Sequence, residues 1–71
     1  MPLVIVQPGR YVHLTSIDAG HGLRGRLESM GLVPGVEIQV VQNSGRGPFI
    51  ISVKDSRIVL GRGMAQKIMV E

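Results

Sequence analysis

The stretch Met30-Gly31-Leu32-Val33-Pro34-Gly35 carries the signals that decide the local fold. Gly31 is placed to end a helix, because glycine adopts the left-handed conformation of a C-terminal cap without steric cost. Pro34 and Gly35 suit the second and third positions of a type II turn, where proline presets φ and glycine supplies a positive φ. The stretch therefore predicts a helix that stops, turns sharply and leads into a strand.

The residues before this stretch break the strand pattern and predict a short helix over 21–30. Leu23, Leu27 and Met30 are spaced at i, i+4 and i+7, which places them on one helical stripe. We expect this stripe to pack onto the rest of the domain. Asp18 lies just upstream and is the candidate N-terminal cap.

The rest of the chain consists of short Val- and Ile-rich runs separated by Gly, Pro, Asn and Ser, which is typical of small all-β domains. The predicted strands cover residues 11–17, 36–42, 49–54, 57–60 and 67–71, with a tight turn at Asp55-Ser56 and a single helical turn over 61–66. The side chains predicted to face the core are Val12, Leu14, Val36, Ile38, Val40, Phe49, Ile51, Val53, Ile58 and Leu60. This order predicts a mainly β fold: a small SH3-like five-strand barrel with one short helix inserted after the first strand.

Composition narrows the class of protein. The chain has 71 residues, which predicts one domain over 1–71. It has no cysteine, which excludes disulfides and thiolate metal sites. No apolar run approaches the roughly 18–20 residues that span a bilayer, so we expect a cytoplasmic protein without direct membrane insertion. The net charge is +3, with scattered basic residues and only two aromatic residues, which does not favour nucleic-acid binding.

The residues also carry a family resemblance. The run from Arg26 to Gly35 resembles the signature RL-x-x-(L/M)-G-L-x-P-G of FeoA domains, and the tail from Ile58 to Val70 is similar to the family's closing pattern. The loop from Gly45 to Pro48 resembles the family's Gly-x-Pro hairpin. The resemblance implies a small cytoplasmic accessory of prokaryotic ferrous iron uptake. It also implies a partner, the large membrane permease FeoB, and it supplies no catalytic residues.

Outward-facing apolar residues predict where a partner binds. Ile50, Val59 and Met69 are expected on the outer faces of the last three strands, where apolar side chains indicate a partner or homodimer surface. The alternative is that the N-terminal segment 3–6 folds over them. The charged face of the helix is a second candidate surface, and its alternative is a solvated face. The residues predicted to contact a partner are Arg24, Arg26, Glu28, Ile50, Val59, Arg62 and Met69.

His13 and His21 are the candidate metal ligands, because imidazole binds Fe(II) and zinc. Their spacing does not place two ligands on one rigid element, so the alternative is two solvated histidines. We expect no required cofactor, with only weak Fe(II) or adventitious Zn(II) binding at these side chains. No nucleophile–base pair and no paired carboxylates occur at useful spacing, which predicts a protein that is not an enzyme.

Together these features lead to one hypothesis and its rivals. The chain is expected to be a non-enzymatic adaptor that binds and modulates a FeoB-type permease, reaching the inner membrane only through that permease. One rival is a nucleic-acid-binding SH3-like module, as in ribosomal and transcription-elongation proteins. The other is a metal-responsive regulatory domain, since the same domain occurs behind the DNA-binding parts of metal-dependent repressors.

Overall fold

The computed structural model describes residues 1–71 and contains five antiparallel strands in one sheet. In chain order the elements are a 3₁₀ turn at Leu3–Ile5, β1 at Tyr11–Ile17, α1 at His21–Ser29, β2 at Glu37–Gln42, β3 at Phe49–Val53, β4 at Ser56–Leu60, α2 at Arg62–Ala65 and β5 at Ile68–Val70. The order across the sheet is β4-β3-β2-β1-β5, so only the last strand pairs out of sequence, beside β1. The predicted mainly β fold with one helix after the first strand is confirmed.

The core is wholly apolar. It contains 17 buried residues, and every one is hydrophobic. The alternation along β3 is complete, because Phe49, Ile51 and Val53 are buried while the residues between them are not. Irregular register in the β1–β5 and β2–β3 pairs marks bulges, which bend strands and let one sheet wrap around a single core. Of the predicted core side chains, only Ile58 remains partly exposed.

The helix ends as the glycine at its C-terminus predicts. Gly31 has a φ of +92°, the left-handed conformation that side chains avoid. The N–H of Gly31 donates to the carbonyl of Glu28 at 3.0 Å, and the N–H of Leu32 donates to the carbonyl of Leu27 at 3.1 Å. These two bonds form a Schellman motif, which satisfies carbonyls that the end of a helix leaves free. Leu32 is thereby turned into the core, where it is fully buried.

The turn that follows also matches its prediction. Gly35 has a φ of +91°, and the N–H of Val36 donates to the carbonyl of Val33 at 3.1 Å. The positive φ of Gly35 at the third position and the bond from Val36 to Val33 agree with a type II turn, which has Pro34 at its second position. The turn passes the chain directly into β2, and both Val36, just before the strand, and Ile38 within it are buried.

Two details of the helix prediction are wrong. Met30 is 44% exposed, because it lies at the C-cap beyond the last helical turn, where the stripe no longer faces the core. Leu27 is buried and Leu23 packs partly against the core, so the stripe holds for these two residues. Asp18 is not the cap, because the N-cap is Gly20 and no side chain caps the helix. The N–H of Asp18 instead donates to the carbonyl of Lys67 at 2.7 Å.

The hairpin between β3 and β4 turns one residue earlier than predicted. Its turn residues are Lys54 and Asp55, which have φ values of 48° and 68°, and the pair that closes the hairpin is Val53 with Ser56. Positive φ at both central residues identifies a type I′ turn, whose twist matches that of the two strands it joins. Neither residue is glycine or asparagine, so propensity alone did not reveal this turn.

The N-terminal segment packs beside β5. The N-terminal ammonium of Met1 donates to the carbonyl of Val70 at 2.9 Å, and the N–H of Val70 donates to the carbonyl of Met1 at 2.8 Å. Leu3 and Val6 enter the core and are buried. The segment therefore lies at the β5 edge of the sheet, and it leaves Val59 on β4 65% exposed.

Candidate docking surface

The outer face of the β3–β4 hairpin carries two of the predicted contact residues side by side. Ile50 and Val59 are directly paired across the two strands, so their side chains share one face. Val59 is exposed and Ile50 is partly exposed. Both point outward because Phe49, Ile51 and Leu60 occupy the alternating inward positions. The structure thus places a small apolar patch, Ile50 with Val59, on an otherwise polar hairpin.

Met69 does not belong to this patch. It lies on β5, which is at the opposite edge of the sheet from β4. Met69 is partly buried and forms a β-bridge with Pro2, so the N-terminal segment lies against its strand. The three outward apolar residues that the sequence groups together are therefore divided between two edges.

The charged helix face forms the second candidate surface. Arg24, Arg26 and Glu28 are all exposed on α1. The Arg24 guanidinium donates to the carbonyl of Ala19 at 3.0 Å, which holds the side chain over the N-terminal end of the helix. Arg24 and Glu28 also line a shallow depression with Ser16 on β1. This surface offers solvated charges beside a strand, and no salt bridge joins them.

Arg62 is engaged within the fold. Its Nη2 donates to Oδ1 of Asn43 at 2.8 Å, and its guanidinium carbon lies 5.9 Å from the centre of the Phe49 ring. Its Nε is buried without a hydrogen-bond partner. These contacts hold much of the side chain against the protein, so only its remaining exposed part is available to a partner.

Asn43 is the residue that sequence reasoning missed. Its Nδ2 donates to the carbonyls of Val4 at 2.8 Å and Val6 at 2.9 Å, while its Oδ1 accepts from Arg62. One amide thus joins the N-terminal segment, the end of β2 and α2. No periodicity or motif marks it, because a lone asparagine after a strand reads as an ordinary loop residue.

The candidate metal ligands lie apart in the fold. His13 on β1 is paired with Glu37 on β2, and Nε2 of His13 lies 3.8 Å from Oε2 of Glu37. Both side chains are more than half exposed, at 56% and 59%. His21 is the exposed first residue of α1. No group of three or more His, Cys, Asp or Glu residues comes together to hold a metal ion, so the donor set does not fit a resident metal centre.

No helix of the chain has both the length and the apolar character needed to cross a bilayer.

Comparison with known proteins identifies the family. The FeoA domain matches residues 1–71. The chain is 49% identical over 70 residues to the "Putative Fe(2+) transport protein A" of Methanocaldococcus jannaschii, covering 99% of this chain and 84% of that protein. A crystal structure of an iron uptake regulatory protein, FeoA, superposes with a TM-score of 0.92 at 43% identity, covering 99% of this chain and 93% of the other.

A further structure confirms the architecture. The FeoA of Stenotrophomonas maltophilia, described as a prokaryotic SH3 domain protein and solved in complex with zinc, superposes with a TM-score of 0.88. It is 24% identical, with coverage of 100% of this chain and 89% of that one, so this likeness concerns the fold. The predicted SH3-like fold is thereby confirmed. With a domain match along its whole length and 49% identity to a transport protein, the chain belongs to the FeoA family of ferrous iron transport proteins.

Proposed function

We propose that this chain is a non-enzymatic accessory of ferrous iron uptake that binds a FeoB-type permease on its cytoplasmic side. The observation that carries the proposal is the FeoA match over residues 1–71, together with 49% identity to an Fe(2+) transport protein A. Proteins of one family at this identity share a fold and, as a rule, a role. The identity of the permease as partner is the step that the proposal adds.

The distribution of polar groups supports binding over catalysis. No polar or charged residue is buried, and the 17 core positions are all hydrophobic. Catalytic acids and bases generally act from desolvated sites that perturb their pKa, and a wholly apolar core offers none. The chemistry of this chain therefore lies on its surface, where recognition of another macromolecule is the activity that fits.

Two surfaces are available for that recognition. The first is the apolar pair Ile50 and Val59, and the second is the charged face of α1 with Arg24 and Arg26. A bound accessory modulates a permease only if its affinity differs between the permease's conformations, and the difference sets the size of the effect. We propose that this chain modulates the permease by binding one of its conformations more tightly than another.

The nucleic-acid rival loses support from the structure. Phe49 is fully buried, which leaves Tyr11 as the one aromatic ring exposed for stacking on bases. Arg62 is bound to Asn43, which removes one cation from the free surface. The metal-responsive rival would require a ligand set that the exposed pair of His13 and Glu37 does not complete.

Capture from membranes tests the proposal. Tagged protein is incubated with detergent-solubilised membranes that contain the permease, and the bound fraction is measured at micromolar protein concentration. We expect wild type to retain the permease, and we expect Val59→Asp or the double variant Arg24→Glu/Arg26→Glu to weaken retention. Arg10→Glu is the charge-reversal control for each single arginine change, since Arg10 lies before β1 and outside both surfaces. Absence of retention by wild type contradicts the proposal, and binding to RNA that falls steeply with salt favours the rival.

A further inference from the structure

The two edges of the sheet differ. At the β5 edge, Met1 exchanges two hydrogen bonds with Val70, and Pro2 bridges to Met69, so the chain covers that edge with its own N-terminal segment. At the other edge lies β4, which pairs only with β3. No further segment of the chain pairs with it.

The hairpin register shows which backbone groups of β4 are free. In a two-residue type I′ hairpin the closing pair, here Val53 and Ser56, is hydrogen-bonded, and such pairs recur at every second position. Ser56 and its alternate residues along β4 therefore direct their N–H and C=O groups toward β3. Arg57 and Val59 direct theirs outward, and no hydrogen bond outside the β3–β4 ladder reaches either residue. The edge thus presents two N–H and two C=O groups to solvent.

The side chains beside these groups are suited to recognition. Arg57 and Val59 lie on the outer face of the sheet, and Val59 adjoins Ile50 in the apolar patch. An exposed β-branched residue on an unpaired edge strand favours aggregation, and proteins commonly avoid it. On β4 a single charged residue, Arg57, opposes such pairing. A strand added at this edge would bond the free backbone groups and set a side chain beside Val59 of the apolar patch at once.

We infer that the β4 edge is a docking site for an extended, acidic segment of a partner protein, added as a sixth strand. The charge of the strand argues for this occupant, because Arg57 is the one charged residue of β4. Lys54 in the adjoining turn is offset by Asp55 and Glu37, which line the same depression. The other nearby cation, Arg62, is already bound to Asn43. An acidic partner segment therefore meets a net positive edge.

A second copy of the chain fits this edge less well. It would add a second Arg57 and no acid to a strand that already carries a positive charge, and it would pair a strand of only five residues. A stable dimer generally buries about 1,200–2,000 Å² in total, which is far more than one short strand provides. The occupant is therefore a segment of another protein.

The geometry also specifies a pattern in the partner. Residues opposite Arg57 and Val59 are two positions apart in the added strand, so their side chains project from the same face. The residue opposite Val59 should be apolar and the residue opposite Arg57 should be acidic. A peptide with acids on both sides of a central valine, Thr-Glu-Thr-Val-Thr-Glu-Thr, presents this pattern in either strand direction.

This fluorescein-labelled peptide is the probe, and binding is measured by fluorescence anisotropy and by protection of backbone amides in NMR. We expect the amides of Arg57 and Val59 to become protected on binding. Val59→Pro removes an outward N–H that the fold does not use, and should weaken binding by at least about tenfold. Val59→Thr keeps the backbone and shape, and should change affinity by no more than about threefold.

Charge variants supply the matched control. Arg57→Glu should weaken binding about fivefold, whereas Arg10→Glu makes the same change away from the edge and should weaken it less. A version of the peptide with lysine in place of glutamate should bind at least about fivefold more weakly. Arg57→Glu also keeps the inference testable if Val59→Pro fails to fold, which thermal unfolding would show.

Three results would overturn the inference: no binding up to the solubility of the peptide, protection confined to α1, or self-association that protects the β4 edge before peptide is added. The inference rests on the proposed function only for the identity of the natural partner. If the peptide does not bind but the permease is captured, the β4 edge is rejected as the docking site and the proposed function stands. If the peptide binds but the permease is not captured, the β4 edge stands as a docking site and the permease is rejected as its partner.

Discussion

The same substitution, glycine to alanine, should have opposite effects at two positions of this protein. Gly25 lies inside α1, whereas Gly35 has a φ of +91° in the turn before β2. A Cβ atom added at either position meets no atom within 4 Å, so steric clash with neighbouring residues contributes to neither result. The sign of each change therefore depends on the backbone conformation alone.

The magnitudes follow from backbone preferences. Gly25→Ala should stabilise the protein by about 0.5–1 kcal/mol, because alanine is the better helix former. At Gly35 the left-handed conformation costs alanine about 1–2 kcal/mol, while the lower entropy of the unfolded chain returns about 0.4–1 kcal/mol. Gly35→Ala should therefore destabilise by about 1 kcal/mol in net terms. For a domain of this size, 1 kcal/mol shifts Tm by about 4–8 °C.

Thermal and urea unfolding, followed by circular dichroism, measure both effects. Gly25→Ala should raise Tm by several degrees and Gly35→Ala should lower it. The double variant should show the sum, because the two glycines lie on separate elements and share no contact through the added methyl groups. The reasoning is refuted if both variants shift Tm in the same direction, since composition rather than conformation would then control stability.

Three further predictions concern Asn43, the type I′ turn and the two histidines. Asn43→Ala should lower the free energy of unfolding by about 2 kcal/mol, because three partly buried hydrogen bonds are lost. Asn43→Asp should destabilise at least as much, because a carboxylate cannot donate to the two carbonyls. Urea unfolding measures both variants. Replacing Lys54-Asp55 by Asn-Gly should raise stability by about 1 kcal/mol in the same assay, because both residues have positive φ; an unchanged midpoint contradicts this. Calorimetry with Fe(II) under argon should give equally weak heats for wild type, His13→Ala and His21→Ala, and a strong heat abolished by His13→Ala contradicts the absence of a built site.

Elements whose cause is local could be predicted from the sequence. The helix end at Gly31 and the type II turn at Gly35 need only the conformations that glycine and proline favour, and both occur as predicted. The strands follow from period-two alternation, because one apolar face must be buried in a domain of this size. The position of the β3–β4 turn was predicted wrongly, because Lys54 and Asp55 form a type I′ turn without the glycine or asparagine that such turns favour.

The candidate site depended on information that is not local. The sequence supplies Ile50, Val59 and Met69 as outward apolar residues, but it does not say which of them adjoin. Strand order settles that question, because β3 and β4 are neighbours while β5 lies at the far edge. Arg62 reads as a free cation along the chain, and its bond to Asn43 spans 19 positions.

The stretch from Met30 to Gly35 thus determined, by itself, the helix end and the turn, since each depends on backbone conformations open to a few residues. The family resemblance also needed the run from Arg26, the loop from Gly45 to Pro48 and the tail from Ile58 to Val70. Tertiary structure alone decided which edge of the sheet is sealed and which is free. That outcome depends on Met1 reaching Val70 across the length of the chain, and on β4 finding no strand beside it. Contacts of such separation are set by how the whole core packs, and no local pattern encodes them.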